Sequence, residues 1–233
     1  MTLCIAWIRQ DKDGKELIFA TDSCLTGGGE VGKHGIKLFE LPRKDCLLCF
    51  AGETAKAYPL ILNLVSSLKF DNKVMNQHTD LRQVLDYLCK NFSEVINSLD
   101  YELDAGDGYN PYDAARFIFG GWNWKLNLLE FWEIYYGNDE KKFLFKGYDS
   151  NSPRAYHLIG DHLPEAEEFL IEELTANGKR IQGSFDMEPF LVLSKMARDQ
   201  QDFRSISGSL QVAKVYPSGS TEFFGVMWPS EKG

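Results

Sequence analysis

The chain lacks a hydrophobic run long enough to cross a membrane, and it lacks an amino-terminal secretion signal. Among its 233 residues, no stretch approaches the roughly 18–20 consecutive apolar residues that a membrane helix needs. The amino terminus has no basic region followed by an apolar stretch, which is the mark of a signal peptide. We therefore expect a soluble, cytoplasmic protein with no membrane partner.

Positive charge is also scarce. Lys and Arg number 25 against 34 Asp and Glu, which gives a formal net charge of −9. The basic residues are scattered along the chain, whereas proteins that bind nucleic acids concentrate positive charge on one surface. This composition excludes nucleic acid as a main partner.

Cysteine and histidine offer little for a disulfide framework or a metal site. The five cysteines are an odd number without a signal peptide, so we expect reduced thiols. Cys46 and Cys49 have CxxC spacing, but they lie in an apolar run typical of a buried strand, where residues three apart point to opposite faces. The four histidines show no metal spacing, and the acidic segment 101–112 does not match an EF-hand. We predict no metal and no cofactor.

Apolar patterning predicts blocks of strands alternating with pairs of helices. The early strands are apolar on both faces, which indicates a sheet covered on both sides, and the short connection at 11–14 predicts an antiparallel hairpin. An antiparallel sheet buried on both faces must lie inside a layered sandwich. We therefore predict an α+β fold, a four-layer αββα sandwich of two antiparallel sheets flanked by helix pairs. It forms one domain over residues 1–233.

The predicted elements have the following bounds. The strands are 3–8, 17–20, 36–41, 46–51, 116–120, 126–136, 142–148, 156–159, 210–216 and 221–228. The helices are 53–68, 81–99, 164–176 and 188–200, and Pro59 is expected to kink or delay the first of them.

Thr2 directly follows the initiator methionine and opens the first predicted strand. Initiator methionine is generally removed when a small residue follows it. The mature chain would then begin with a threonine that carries both a hydroxyl nucleophile and an α-amine, a base with a pKa of about 7.7–8.0. Many proteins begin with Met-Thr, so the position needs support from other residues.

A terminal threonine nucleophile needs a nearby cation, groups that orient its amine, and a backbone N–H directed at the oxyanion. Lys37 lies in an apolar run where burial is costly without a carboxylate, and Asp22 at the end of the preceding strand could supply one. Gly52 follows a strand and precedes a helix, where backbone N–H groups are exposed. The alternatives are a surface lysine on an edge strand and an ordinary turn aspartate.

The stretch 2–68 resembles the amino-terminal halves of proteasome β subunits and of the bacterial HslV protease, which are N-terminal-nucleophile (Ntn) hydrolases. The resemblance is carried by four features in order: the Met-Thr start, Ala-Thr-Asp-Ser at 20–23, Gly-Ile-Lys-Leu at 35–38, and Phe-Ala-Gly-Glu-Thr-Ala at 50–55. It implies that Thr2 is the nucleophile, that Asp22 and Lys37 are its charged partners, and that the N–H of Gly52 forms the oxyanion hole. The Ntn fold is also a four-layer αββα sandwich.

The carboxyl-terminal half matches this pattern less well. By the resemblance, Ser207 is the later serine of the site, and Asp161 stands where a serine would orient the terminal amine. Arg204 stands where an aspartate is usual. A carboxylate beside the amine would favour the ammonium form and make it a poorer base. Alternatively, Asp161 and Arg204 could form a salt bridge with each other.

The leading hypothesis is a proteasome-like threonine peptidase that acts on peptides or unfolded proteins after removal of Met1. The resemblance also implies a homo-oligomeric ring, and it leaves open whether an unfoldase partner exists. One alternative is a non-catalytic scaffold subunit of such a ring. The other is an Ntn amidase that acts on a small amide.

Overall fold

The computed structural model describes residues 2–12, 14–27, 30–98, 115–152, 155–176 and 184–226. The acidic segment 101–112 lies outside these residues. The strands are β1 (Leu3–Asp11), β2 (Gly14–Thr21), β3 (Leu25–Gly27), β4 (Glu30–Gly32), β5 (Leu38–Glu40), β6 (Cys46–Gly52), β7 (Ala115–Asn123), β8 (Leu128–Gly137), β9 (Lys142–Tyr148), β10 (Tyr156–Gly160), β11 (Gln211–Val215) and β12 (Thr221–Gly225). The helices are α1 (Thr54–Phe70), α2 (Asn72–Met75), α3 (Leu81–Asn97), α4 (Leu163–Ala176) and α5 (Glu188–Arg198).

Ten of these strands form two five-stranded antiparallel sheets. Sheet I has the order β10-β1-β2-β11-β12, and sheet II has the order β5-β6-β7-β8-β9. The strands β3 and β4 form a separate hairpin. Helices α1 and α3 cover the outer face of sheet II, and α4 and α5 cover the outer face of sheet I. The predicted α+β sandwich with four layers is confirmed.

Burial on both faces explains the continuous apolar strands. In β1, Leu3, Ile5 and Trp7 face α4 and α5, whereas Cys4 and Ala6 face sheet II. The side chains between the sheets form an inner core, and each sheet forms an outer core with its own helices. Because successive side chains of a strand point to opposite faces, alternate residues of each central strand lie in the outer core and in the inner core.

The helices follow their apolar stripes, with one correction. In α3 the buried residues recur every three or four positions, and the Asp80 carboxylate accepts the Arg82 N–H at 3.0 Å as a cap. Helix α1 begins at Thr54 and contains Pro59. The prediction that Pro59 delays this helix was therefore wrong: Pro59 is the sixth residue of the helix and removes one backbone hydrogen bond, that to the Ala55 carbonyl, while the helix continues to Phe70.

The cysteines behave as core residues. Cys46 lies in the outer core of sheet II and Cys49 lies between the sheets, so the CxxC sulfurs point apart as predicted. All five thiols are free and buried. No helix among the described residues is both long and apolar enough to span a bilayer.

Candidate active site

Thr2 lies at the start of β1 on sheet I and is almost fully buried, with 1% of its surface exposed. Its carbonyl oxygen accepts the N–H of Asp161 at 2.8 Å, just beyond the end of β10. Gly160 makes this contact possible, because its φ is +120° and a Cβ there would lie 1.8 Å from the Thr2 oxygen. The end of β10 therefore holds Thr2 through backbone contacts that no larger residue would allow.

A fully buried lysine connects Thr2 to Asp22. The Lys37 ammonium donates to the Thr2 hydroxyl and to Asp22 Oδ2, the latter at 3.0 Å, and both charged side chains have no exposed surface. Lys37 is therefore not a surface residue, and Asp22 is not an ordinary turn residue. The structure brings together the three side chains that the sequence placed in one site.

The Asp22 carboxylate is held by several donors besides Lys37. It accepts the N–H of Leu3 at 3.1 Å, the N–H of Cys24 at 2.8 Å and, more weakly at 3.5 Å, the N–H of Ser207. Burial raises the pKa of Asp22 above its usual value, although the charge and hydrogen bond of Lys37 oppose this shift. The ion pair is thus costly to bury and depends on both partners remaining in place.

Gln211 also takes part, although no sequence motif identified it. Its Oε1 accepts the N–H of Lys37 at 3.0 Å and that of Leu38 at 3.2 Å, and its Nε2 donates to the Gly35 carbonyl at 2.5 Å. Gln211 begins β11, far along the chain from Lys37. Its amide fixes the backbone that carries Lys37 toward Thr2.

Gly52 lies at the end of β6 with φ of +115°, directly before α1. The Glu53 side chain makes no capping hydrogen bond at the start of this helix. A Cβ on Gly160 would also lie 3.3 Å from the Ala51 Cβ, so the end of β6 lies close to the end of β10, which contacts Thr2. Gly52 therefore stands beside the nucleophile strand with a backbone geometry that favours glycine.

The residues from the carboxyl-terminal half enter the site in different ways. Ser207 is buried, and its carbonyl oxygen accepts the Ser23 N–H at 3.2 Å. Asp161 contacts Thr2 through its backbone, and its Oδ2 is buried with no hydrogen-bond partner in the described part of the chain. Arg204 is exposed and forms no ion pair with Asp161 there. The structure thus provides no support for the predicted alternative of an Asp161–Arg204 salt bridge.

No protein-family model and no curated protein matches this chain. Solved structures match nearly all of it. One, described as the helical assembly of the Anbu complex from Pseudomonas aeruginosa, has a TM-score of 0.68 at 18% identity over 99% of this chain and 88% of that chain. Anbu from Yersinia bercovieri, described as an ancestral β-subunit, has a TM-score of 0.63 at 18% identity over 97% and 88%. The fold of the chain is similar to that of these Anbu structures.

A third structure, an Anbu Gly-1 mutant from Hyphomicrobium sp. strain MC1, agrees with this. Its TM-score is 0.64 at 15% identity, covering 99% of this chain and 89% of that chain. The coverage of both chains shows that the similarity extends beyond the first 68 residues, on which the sequence-based resemblance rested. The similarity in fold to these Anbu structures therefore covers nearly the whole chain.

These comparisons correct the predicted family. The resemblance to HslV and proteasome β subunits was wrong at the level of the family, because the similar structures are Anbu proteins. The four motifs behind that resemblance lie within the first 55 residues of the chain.

The described residues contain no group of three or more His, Cys, Asp or Glu side chains placed to hold a metal ion. The polar groups around Thr2 are instead a lysine, carboxylates and backbone N–H groups. Such an arrangement can polarise a hydroxyl and stabilise developing negative charge by hydrogen bonds.

Proposed function

We propose that this chain is a self-assembling, proteasome-like subunit in which Thr2, exposed by removal of Met1, hydrolyses amide bonds in peptides. The observation that carries the proposal is the buried Lys37, which pairs with Asp22 and donates to the Thr2 hydroxyl. A buried ion pair of this kind seldom stabilises a fold more than apolar residues of equal volume. Because Lys37 also donates to the Thr2 hydroxyl, a chemical role explains the pair better than a stabilising one.

The proposed reaction proceeds through an acyl-enzyme. The α-amine of Thr2, directly or through a water, accepts the hydroxyl proton as Oγ1 attacks the carbonyl carbon of the substrate. Lys37 stabilises the charge on Oγ1, and the N–H of Gly52 donates to the oxyanion. The same amine then returns the proton to the leaving nitrogen, and water hydrolyses the resulting ester to restore Thr2.

Asp161 has a specific role in this proposal. Its buried Oδ2 has no partner among the described residues, and its backbone N–H holds the Thr2 carbonyl. Removal of Met1 would create an α-ammonium group on Thr2, which would be a counterion for this carboxylate. Asp161 would then hold and orient the amine, and it would also favour the protonated form. Ser207 would act through its backbone, which lies against Asp22.

Intact mass spectrometry of the purified protein tests the proposal. The mass without an inhibitor reports whether Met1 has been removed. A peptide β-lactone adds to the hydroxyl alone, whereas a peptide epoxyketone requires both the hydroxyl and the free amine of Thr2. We expect both adducts on the wild-type chain and neither on Thr2→Ala. Peptidase activity that persists in a folded Thr2→Ala variant would contradict the proposal.

A second candidate is a non-catalytic assembling subunit. It is favoured by the similar Pseudomonas aeruginosa structure, which is described by its helical assembly, and by a carboxylate where a serine was expected. Sedimentation velocity of the wild-type chain and of Thr2→Ala separates the two candidates. Assembly of both chains, with Met1 retained and no inhibitor adduct on the wild type, would favour the scaffold over the peptidase.

A further inference from the structure

Four polar side chains connect the two sheets on their inner faces. Arg116 on β7, Glu133 on β8 and Tyr148 on β9 belong to sheet II, and His157 on β10 belongs to sheet I. Glu133 Oε2 lies 2.9 Å from His157 Nε2, and Glu133 Oε1 accepts Arg116 Nη1 at 3.0 Å. The Tyr148 hydroxyl donates to Glu133 at 3.3 Å and lies 3.1 Å from His157 Nε2. We call these four residues the inter-sheet clamp.

The inter-sheet clamp is partly removed from water and electrostatically favourable. The Glu133 and His157 side chains are 8% and 20% exposed, and the rings of Tyr148 and His157 stack at 4.3 Å. Burial alone would raise the pKa of Glu133, but the hydrogen bond and charge of His157 and the charge of Arg116 lower it overall. Burial and the Glu133 charge raise the pKa of Tyr148. The carboxylate is thus held ionised among its partners.

The strands that carry the inter-sheet clamp lead to, or pair with, the segments that form the candidate active site. His157 precedes Gly160 by three residues on β10, and the next residue, Asp161, donates to the Thr2 carbonyl. On sheet II, Arg116 is the register partner of Ala51, which adjoins Gly52. The inter-sheet clamp therefore ties the strand that holds the nucleophile to the strand beside the proposed oxyanion donor.

From this placement, and resting on the proposed function, we infer that Glu133 and His157 are positioning residues that fix the separation of Thr2 from Gly52 across the two sheets. Most side chains between the sheets are apolar, and apolar packing is not directional and tolerates small shifts between layers. Near the site, the directional contacts between the sheets besides the inter-sheet clamp include the bond from Cys4 Sγ to the Phe50 carbonyl at 2.9 Å and that from the Leu38 N–H to Gln211 Oε1 at 3.2 Å. Catalysis does not tolerate small shifts between layers, because a misplacement of about 1 Å can cost on the order of 100-fold in rate. The directional contact between Glu133 and His157 across the sheets removes that freedom.

The test compares Glu133→Gln, His157→Gln and the double variant in their reaction with a peptide β-lactone. We expect the maximal acylation rate of Thr2 to fall by about 10- to 100-fold in each single variant while the concentration for half-maximal rate stays unchanged. The double variant should be no slower than the slower single variant, because one interaction is lost in all three.

Arg82→Gln provides a matched control. It breaks another ion pair of β8, in which Arg82 Nη2 lies 3.1 Å from Glu130 Oε1. The Arg82 side chain is 65% exposed, close to the 53% of Arg116 in the inter-sheet clamp. This pair lies at the start of α3, away from Thr2. We expect no change in acylation rate in Arg82→Gln. Equal rate losses in this control and in the inter-sheet clamp variants would reduce the clamp to a structural role and overturn the inference.

Hydrogen exchange distinguishes failure of this inference from failure of the proposed function. If wild-type Thr2 is not acylated at all, the proposed function fails, and the inference is judged by exchange at the Asp161 amide, which donates to the Thr2 carbonyl. We expect faster exchange at this amide in Glu133→Gln and in His157→Gln, and an unchanged rate in Arg82→Gln. If wild-type Thr2 is acylated and the clamp variants react at the same rate, the inference is overturned. If wild-type Thr2 is not acylated, an unchanged exchange rate in the clamp variants overturns it.

Discussion

At the scale of single residues, the candidate site depends on a buried charge pair that neither partner can maintain alone. Lys37→Met removes the cation and leaves the Asp22 carboxylate buried, so we expect a loss of about 3–5 kcal/mol in the free energy of unfolding. Asp22→Asn combined with Lys37→Met removes both charges and should recover at least about 1 kcal/mol of that loss. Urea denaturation measures both values, and a double variant less stable than Lys37→Met would contradict this explanation.

Asp161 controls the basicity of the Thr2 amine in the proposed mechanism. A neighbouring carboxylate stabilises the ammonium form and raises the pKa of the amine, so replacing it should make the free base available at lower pH. We expect Asp161→Ser to shift the acidic limb of the acylation rate to lower pH by about one unit. Arg204→Ser is the matched control, because Arg204 is exposed and should not shift the profile. An unshifted profile in Asp161→Ser would show that the carboxylate does not contact the amine.

The residues that could be predicted from the sequence differ physically from those that could not. Lys37 was found because a charge within an apolar run demands a partner, and Asp22 because it ends the adjacent apolar strand. Gln211 is neutral and is separated from Lys37 by 174 positions. Among the described residues its side chain forms hydrogen bonds with backbone groups, so no charge or spacing in the sequence marks it as part of the site.

At the scale of elements, the end of β10 must come unusually close to the start of β1. A Cβ on Gly160 would lie 1.8 Å from the Thr2 carbonyl oxygen, and the φ of +120° is unfavourable for any side chain. We expect Gly160→Ala to cost at least about 2 kcal/mol and to abolish acylation of Thr2. Gly225→Ala on β12 is the control, since no described atom outside its chain neighbours lies within 4 Å of the added Cβ. Similar effects from both substitutions would contradict this account.

Most of the elements could be predicted because burial on both faces leaves a continuous apolar run in each central strand. The ends were less accurate: β7 begins at Ala115 and extends to Asn123, beyond the predicted 116–120. The hairpin of β3 and β4 was missed, because its strands have three residues each and lie in a glycine-rich segment. Such short strands carry too few residues for a two-residue period to be recognised.

At the scale of the whole molecule, the layers share strands and should therefore unfold together. In β1, Leu3 and Ile5 belong to an outer core while Cys4 and Ala6 belong to the inner core. We predict that residues 1–233 form one domain with a single calorimetric transition, in which the calorimetric and van't Hoff enthalpies agree at a concentration where the assembly state is constant. Two separate transitions would show that the sheets are independent units.

The inter-sheet clamp should also make the stability of the whole fold depend on pH. The pKa of Glu133 is lower in the folded protein than in the unfolded chain, where about 4.5 applies. Its stabilising contribution is therefore present above that value and is lost as the pH falls through the folded pKa. We expect the difference in unfolding free energy between wild type and Glu133→Gln, measured with urea, to be largest near pH 6 and to shrink towards pH 3. Ile134→Val, a neutral change in the buried side chain next to Glu133, should cost about 0.5–1.5 kcal/mol at every pH. If the difference in unfolding free energy between wild type and Glu133→Gln were also the same at every pH, the carboxylate charge would not hold the sheets together.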